Sequence, residues 1–235
     1  MQDNPEAGLA QWPALLPATG ALMTTSPTSI RLFFALDARA QAEPLLAIQR
    51  QWLQEIAHTA AHGQGNPQPA AQPSPVSAEN LHLTLLFLGN QPMSQIPLLS
   101  QQAERVVDAQ ATAPFAIQLD HLGLFAQAKV AWMAPSQPPE PLLRLEAELR
   151  AALAAVGIGV EDRPYRPHVT LLRKATRLLA GTVTPITLQA TALHLYESRS
   201  TPDGVRYIQL ASWDFAPPVF SKRPVIDESG PSVAG

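Results

Sequence analysis

The chain has no cysteine. Disulfides, thiolate catalysis and Cys-ligated zinc are therefore excluded, and the composition fits a reducing compartment. No apolar run approaches the roughly 20 residues that span a bilayer. The N-terminus carries Asp3 and Glu6 with no early Lys or Arg, so the basic n-region of a signal peptide is missing. The expectation is a soluble, cytoplasmic protein with no membrane partner. Positive charge is not in excess either, with a net charge of −3. That argues against an extended duplex footprint and leaves room for a small local site for a phosphate or an RNA end. No Gly-rich phosphate loop of the Walker or dinucleotide kind occurs, and no Gly-x-Ser-x-Gly elbow.

Proline is abundant at 24 residues and marks linkers. Residues 1–28, rich in Ala, Pro, Thr and Ser, read as a disordered extension in which Pro13 works against a short helix from Leu9 to Leu16. Residues 29–214 read as one domain, with a flexible Pro- and Gly-rich loop over 60–78, and 215–235 as a flexible tail. Within the domain, Ile30–Leu36 is an apolar run of strand length. Asp37 is placed to N-cap a helix from Ala38 to about His58, which Pro44 kinks or starts late. Its apolar face is Leu45, Ile48, Trp52, Leu53 and Ile56. A second helix fits Ser94–Ala109. Phe115–Leu119 and Lys129–Met133 read as strands, with Gly123 and Phe125 in a turn between them. A third helix fits Pro141–Val156, striped by Leu142, Leu145, Leu149 and Leu153 and stopped at Gly157. Ile186–Tyr196 and Val205–Leu210 read as strands joined by a Pro202-Asp203-Gly204 turn. This order predicts an α+β fold of two antiparallel-sheet lobes with outer helices around a central cleft, not a doubly wound parallel sheet.

Two stretches stand out. Leu81 to Gly89 reads Leu-His-Leu-Thr-Leu-Leu-Phe-Leu-Gly, and Pro167 to Leu172 reads Pro-His-Val-Thr-Leu-Leu. In a strand, alternate side chains take opposite faces. Leu81, Leu83, Leu85 and Phe87 then enter a core, and His82 and Thr84 share the other face with Leu86 beyond them. His168 and Thr170 repeat the arrangement against Val169 and Leu171. A lone strand histidine is ordinarily a hydrogen-bonded structural residue. Two His-x-Thr matches, however, are expected in roughly one random chain in twenty, and both sit in alternating apolar segments. A metal site lacks a third ligand at suggestive spacing.

Metal-independent phosphodiester cleavage fits these residues. Water must lose a proton and the leaving oxygen must gain one, and imidazole does either near neutrality. Each threonine hydroxyl can donate to a phosphoryl oxygen. Arg163, Arg166, Arg173, Lys174 and Arg177 surround the second pair against Glu161 and Asp162. Arg166, two residues before His168, is the first choice for a phosphate contact. Tyr165 and Phe34 are candidates to stack on a base, with core packing the plainer reading of Phe34. His58, His62, His121 and His194 read as structural or surface residues.

At this point the sequence resembles the 2H phosphoesterase superfamily, whose signature is a pair of His-hydrophobic-Thr-hydrophobic motifs. Here they are His82-Leu83-Thr84-Leu85 and His168-Val169-Thr170-Leu171. The likeness is strongest to the RNA 2′,3′-cyclic phosphodiesterase branch, also called bacterial 2′-5′ RNA ligase. It runs from about Arg31 to Trp213 and includes Arg31-Leu32-Phe33-Phe34-Ala35-Leu36, Leu86-Phe87-Leu88-Gly89, Tyr165-Arg166-Pro167-His168, and Leu195-Tyr196-Glu197-Ser198 with Gly204 and Tyr207. The resemblance implies a bilobal, pseudo-twofold fold and hydrolysis of RNA 2′,3′-cyclic phosphate ends, tRNA fragments among them, to 2′-phosphates. It implies His82 as proton donor to the leaving 3′ oxygen, His168 as proton acceptor from water, Thr84 and Thr170 on the phosphoryl group, no cofactor and no metal. A monomer is expected. The family is also associated with reversible 2′-5′ RNA joining. The alternatives are a phosphodiesterase for a small cyclic phosphate, such as a cyclic nucleotide or ADP-ribose cyclic phosphate, and a non-catalytic RNA-end-binding module.

Overall fold

A computed structural model of the protein describes residues 29–62, 72–109, 112–160, 163–179, 181–202 and 204–216. The expected extension 1–28, the middle of the Pro-rich loop, Glu161, Asp162, Asp203 and the tail beyond 216 lie outside the described residues. Strands β1 (Ser29–Asp37), β2 (Ser74–Pro75), β3 (His82–Pro92), β4 (Phe115–Leu119), β5 (His121–Phe125), β6 (Val130–Ala134), β7 (Val169–Arg173), β8 (Ile186–Ala190), β9 (Ala192–Thr201) and β10 (Gly204–Asp214) alternate with helices α1 (Ala42–His62), α2 (Ile96–Ala109) and α3 (Glu140–Ala155).

The main sheet runs β10-β9-β1-β3-β7-β6-β5, with β2 added on β7, and β4 and β8 form a separate pair. Its neighbours are all antiparallel. The sheet divides naturally into two halves, β10-β9-β1-β3 and β7-β6-β5, each ending on a motif strand. Among the described residues the two halves meet in one ladder pair, Leu83 with Val169. This is the α+β, two-lobed architecture the sequence leads one to expect, with the lobes fused along a seam between the two motifs.

The helices lie on one face. Leu45 and Trp52 of α1, Leu99, Ala103, Val106 and Val107 of α2, and Leu142, Leu145, Leu149 and Leu153 of α3 are buried with Ile30, Leu32, Phe34 and Leu36 of β1 in the main core. The α1 helix begins at Ala42, after a 3-10 turn at Arg39–Gln41, so Pro44 falls in the first turn, where its missing N–H costs nothing. The Asp37 carboxylate accepts the Arg39 backbone N–H at 2.8 Å and also grips the Arg39 guanidinium. Gly157, at φ +78°, ends α3 in the left-handed conformation that glycine adopts without strain.

Five expectations are corrected. Phe87 leaves the core: Leu85 is an extra residue in the β1–β3 register, between the pairs Ala35–Thr84 and Phe34–Leu86. This bulge buries both Leu85 and Leu86 and turns Phe87 to the His82–Thr84 face. Residues 121–125 are strand β5, not a turn. Their Gly masks a period-2 pattern, because Gly123 lies under the Trp132 ring, where a Cβ would stand 2.0 Å from Cζ2. The segment Ile186–Tyr196 is two strands, split at Thr191, whose carbonyl accepts the Phe215 N–H at 2.7 Å. Phe215 is itself buried and stacks on Phe115 at 5.8 Å, so ordered packing passes the expected boundary at 214. The end of the Pro-rich loop also contributes β2, which pairs Ser74 with Arg173.

Candidate active site

The two motifs meet because β3 and β7 are neighbours. Leu83 and Val169 are fully buried partners. Carrying that antiparallel register one residue each way sets His82 opposite Thr170 and Thr84 opposite His168, all on the face away from the helices. Each threonine thus stands beside both imidazoles, its own and the other strand's.

The two histidines are held alike. His82 Nδ1 donates to the Asn80 carbonyl at 2.7 Å, and His168 Nδ1 donates to the Arg166 carbonyl at 2.7 Å. A carbonyl only accepts, so both rings carry the proton on Nδ1 and present the Nε2 lone pair. His82 Nε2 lies 3.0 Å from Thr84 Oγ1, which donates to it when the ring is neutral. Asn80 is tied down in turn: its amide donates to the Val205 carbonyl at 2.7 Å and its Oδ1 accepts the Tyr207 N–H at 3.2 Å.

Aromatic rings flank both imidazoles. His82 lies between Phe33, with centroids 4.9 Å apart, and Tyr207, edge-on at 4.8 Å. His168 lies against Phe125, edge-on at 5.1 Å, and Trp132 at 6.2 Å. Phe33 and Tyr207 belong to the stretches that carry the family resemblance, whereas nothing in the sequence marks Phe125 and Trp132; the cross-strand register sets Trp132 opposite Thr170.

Burial against these rings pushes His82 down to about 4; the Arg173 and His168 charges push the same way, and the Asn80 hydrogen bond and Asp37 partly oppose them. His168 is lowered too, first by burial and then by Arg163 and Arg173, against its bond to Arg166. Both rings are therefore neutral at pH 7 in the unliganded protein. An anion between them favours protonation of either.

Arg173 is the cation that acts on both histidines. Leu171 is a second bulge residue, between the pairs Ala131–Leu172 and Trp132–Thr170, so Leu171 and Leu172 are both buried and Arg173 is exposed. Arg173 donates to the Tyr207 hydroxyl at 3.3 Å, joining the two halves across the seam. The Leu-Leu doublet after each His-x-Thr is thus the sequence trace of a bulge that returns the next side chain to the site face.

The other candidates fare differently. Arg166 is exposed and meets His168 through its carbonyl. Tyr165 packs against the main core, and its hydroxyl donates to the Thr84 carbonyl at 3.3 Å; burial, with Glu146 nearby, raises its pKa well above the usual phenol value. It braces the first motif from the lead-in of the second. Phe34 is fully buried and contacts Trp213 at 6.1 Å. It cannot stack on a base; its neighbour Phe33 faces the site, because alternation along β1 sends Phe34 to the core. His121 bonds Asp120 at 3.2 Å and lies edge-on to Trp132, one ring removed from His168. Among the described residues no three His, Asp or Glu side chains gather as a metal site, and no helix is long and apolar enough to cross a membrane.

Residues 35–209 match the profile of the 2′-5′ RNA ligase superfamily. The chain is 33% identical over 187 residues to the RNA 2′,3′-cyclic phosphodiesterase of Escherichia coli K12, covering 78% of this chain and 95% of that protein. It is 33% identical over 129 residues to the enzyme of the same name from Thermus thermophilus, covering 52% and 64%. The E. coli LigT structure in complex with 3′-AMP superposes with a TM-score of 0.60 at 33% identity, over 80% of this chain and 98% of that one. With the two motifs paired at their middle residues and the match spanning both, the chain belongs to the 2′-5′ RNA ligase superfamily.

Proposed function

We propose that the protein hydrolyses RNA 2′,3′-cyclic phosphate ends to 2′-phosphomonoesters. The observation that carries this reading is the matched pair of imidazoles. Each is fixed through Nδ1 to the carbonyl two residues before it, and the two strands are joined in register at Leu83 and Val169. That leaves two Nε2 atoms to serve one phosphorus from two sides. The name carried by the similar E. coli and Thermus proteins points to the same substrate.

The chemistry follows from this arrangement. Substrate brings a phosphodiester anion next to two neutral imidazoles, and its charge draws a proton onto one of them. We assign that proton to His82 Nε2, following the resemblance. His168 Nε2 then takes a proton from water as its oxygen bonds to phosphorus. The bond from phosphorus to O3′ breaks, and His82 gives its proton to O3′. The product keeps the phosphate on O2′, and the protons balance: one leaves water and one reaches the alcohol. The hydroxyls of Thr84 and Thr170 donate to the non-bridging oxygens, and Arg173 offsets their growing negative charge. The same steps, with a 5′-hydroxyl in place of water, would join RNA ends 2′-5′.

RNA ends, tRNA fragments among them, in the cytoplasm are the substrate and setting this reading assigns, with the protein acting as a monomer. Its test is turnover of a short RNA bearing a 2′,3′-cyclic end by the wild type, H82A and H168A. The wild type is expected to form a 2′-phosphate, and each variant to lose at least about a hundredfold in kcat. Unchanged turnover in both variants would refute it.

A further inference from the structure

The first half of the sheet carries a second, smaller cluster on the face away from the helices. Phe33, Ala35 and Tyr196 are its buried members, and Phe87 and Tyr207 pack against them. Phe33 stacks on Tyr196 at 5.4 Å and meets Tyr207 edge-on at 4.9 Å. This aromatic floor begins at His82 and runs along β3 to Phe87. Phe87 is five positions from His82, less one bulge residue, so the floor extends about 13 Å along the strand. At its far end the exposed Arg31 lies over the Phe87 ring, 4.6 Å from the centroid.

The two halves differ here in a telling way. Five residues beyond His168 the second half places the guanidinium of Arg173, beside the reacting phosphorus. Five residues beyond His82 the first half places Phe87, and the adjacent strand β1 lays Arg31 on it. The pseudo-symmetric position thus holds a phenyl ring, and the guanidinium over it comes from the neighbouring strand, away from the reaction centre. It is thus remote from the cyclic phosphate itself.

We propose that Arg31, lying over the Phe87 ring, holds the nucleotide that precedes the reacting one, which makes the site specific for the end of an RNA chain over a lone cyclic nucleotide. This rests on the phosphodiesterase reading above. A 2′,3′-cyclic phosphate closes the 3′ end, so the remaining chain leaves the site on the 5′ side of the reacting ribose. A guanidinium with one face on an aromatic ring keeps its other face for a base and its edge donors for a phosphodiester. Aromatic floors with arginine are the general means of gripping single-stranded RNA without reading its sequence. Of the acidic groups beside this floor, Asp37 is paired with Arg39 and Glu79 lies at the His82 end with Phe33, Tyr196 and Tyr207, so at the Phe87 end Arg31 sets the charge and favours an anionic chain.

The test compares kcat/KM for a 2′,3′-cyclic mononucleotide and for a tetranucleotide with the same cyclic end, in wild type, R31Q and R206Q. Arg206 is exposed one residue before Tyr207 on β10, so it projects to the opposite face and controls for net charge. R31Q is expected to lower the tetranucleotide value about tenfold and to leave the mononucleotide within about twofold. Its log–log salt slope for the tetranucleotide should flatten by about 0.7, one phosphate contact on a single strand. Equal loss on both substrates, no loss on either, or the same loss in R206Q would overturn the inference. A wild type that cleaves neither substrate would remove the phosphodiesterase reading itself, and this inference with it.

Discussion

Leu83 and Val169, both fully buried, are the ladder pair that joins the two halves of the sheet. The pairing of the two motifs follows from that one contact. It fixes which residues face each other across the seam, and it turns two separate His-x-Thr motifs into one two-sided site. Replacing Leu83 with alanine removes a buried side chain at this junction. It should cost about 2–5 kcal/mol of stability, measured by urea denaturation, and lower activity even at temperatures where the variant is folded.

The two imidazoles begin neutral, so substrate must bring the proton balance with it. The pH profile of kcat/KM reports the free protein, and that of kcat the complex. Both histidines lie below their ordinary 6.5 in the free protein, and His82 is near 4. A bound phosphate raises them. The kcat bell should therefore centre at higher pH than the kcat/KM bell. NMR titration of the two rings should show both values rising when a nucleotide monophosphate is added. Coincident bells and unmoved titrations would count against a phosphate seated between the rings.

The same shift affects folding. Between pH 6.5 and about 4 the unfolded chain takes a proton at position 82 that the folded protein refuses. Stability contributed by neutral His82 is present above pH 6.5 and is lost as pH falls through that window. The H82Q variant, which has nothing to titrate there, should show a shallower loss of melting temperature between pH 7 and pH 4.5 than the wild type.

Arg173 acts on both rings and reaches Tyr207. In R173Q both histidines should titrate higher, since a depressing charge is gone. KM for a cyclic phosphate should rise at least about tenfold, the cost of one charge-assisted contact. A KM that stays fixed while only kcat falls would move Arg173 away from the ground-state phosphate.

Gly123 leaves space for Trp132, which in turn flanks His168. G123A forces that ring to move and should cost about 1–3 kcal/mol in stability. A change in tryptophan fluorescence and a fall in kcat should accompany it. Gln49 offers a contrast on the helix side. Its buried amide donates to the carbonyls of Val76 and of the bulge residue Leu171, each at 2.8 Å. Q49L should lose about 1–3 kcal/mol through those carbonyls.

Much of this was legible in the residues. The helix stripes at Leu142, Leu145, Leu149 and Leu153 and the outward His-x-Thr pairs follow from period alone, because each element has one wet and one dry side. Period fails where the backbone breaks it. Phe87 looks like a core residue until the bulge at Leu85 shifts its phase, and nothing in Leu85-Leu86 read singly announces that. Seen twice, after both motifs, the doublet is a signal. Phe34 and Phe33 are indistinguishable in an unbroken apolar run, since both faces of β1 are covered. The flanking rings Trp132 and Tyr207 come from strands far away in sequence, and only the order of strands in the sheet brings them to the histidines. Arg166 shows the limit of reasoning by charge: its place beside His168 is set by a carbonyl that any residue supplies.

The most direct measurement is the identity of the phosphomonoester released from a short RNA with a 2′,3′-cyclic end, in the presence of a chelator. The assignment of His82 as acid and His168 as base on one phosphorus predicts a 2′-phosphate, formed by the wild type and lost in both H82A and H168A. With a 3′-thio leaving group, which needs no proton, H82A should recover turnover and H168A should not. A 3′-phosphate product, or undiminished turnover in the two single variants, would contradict the account.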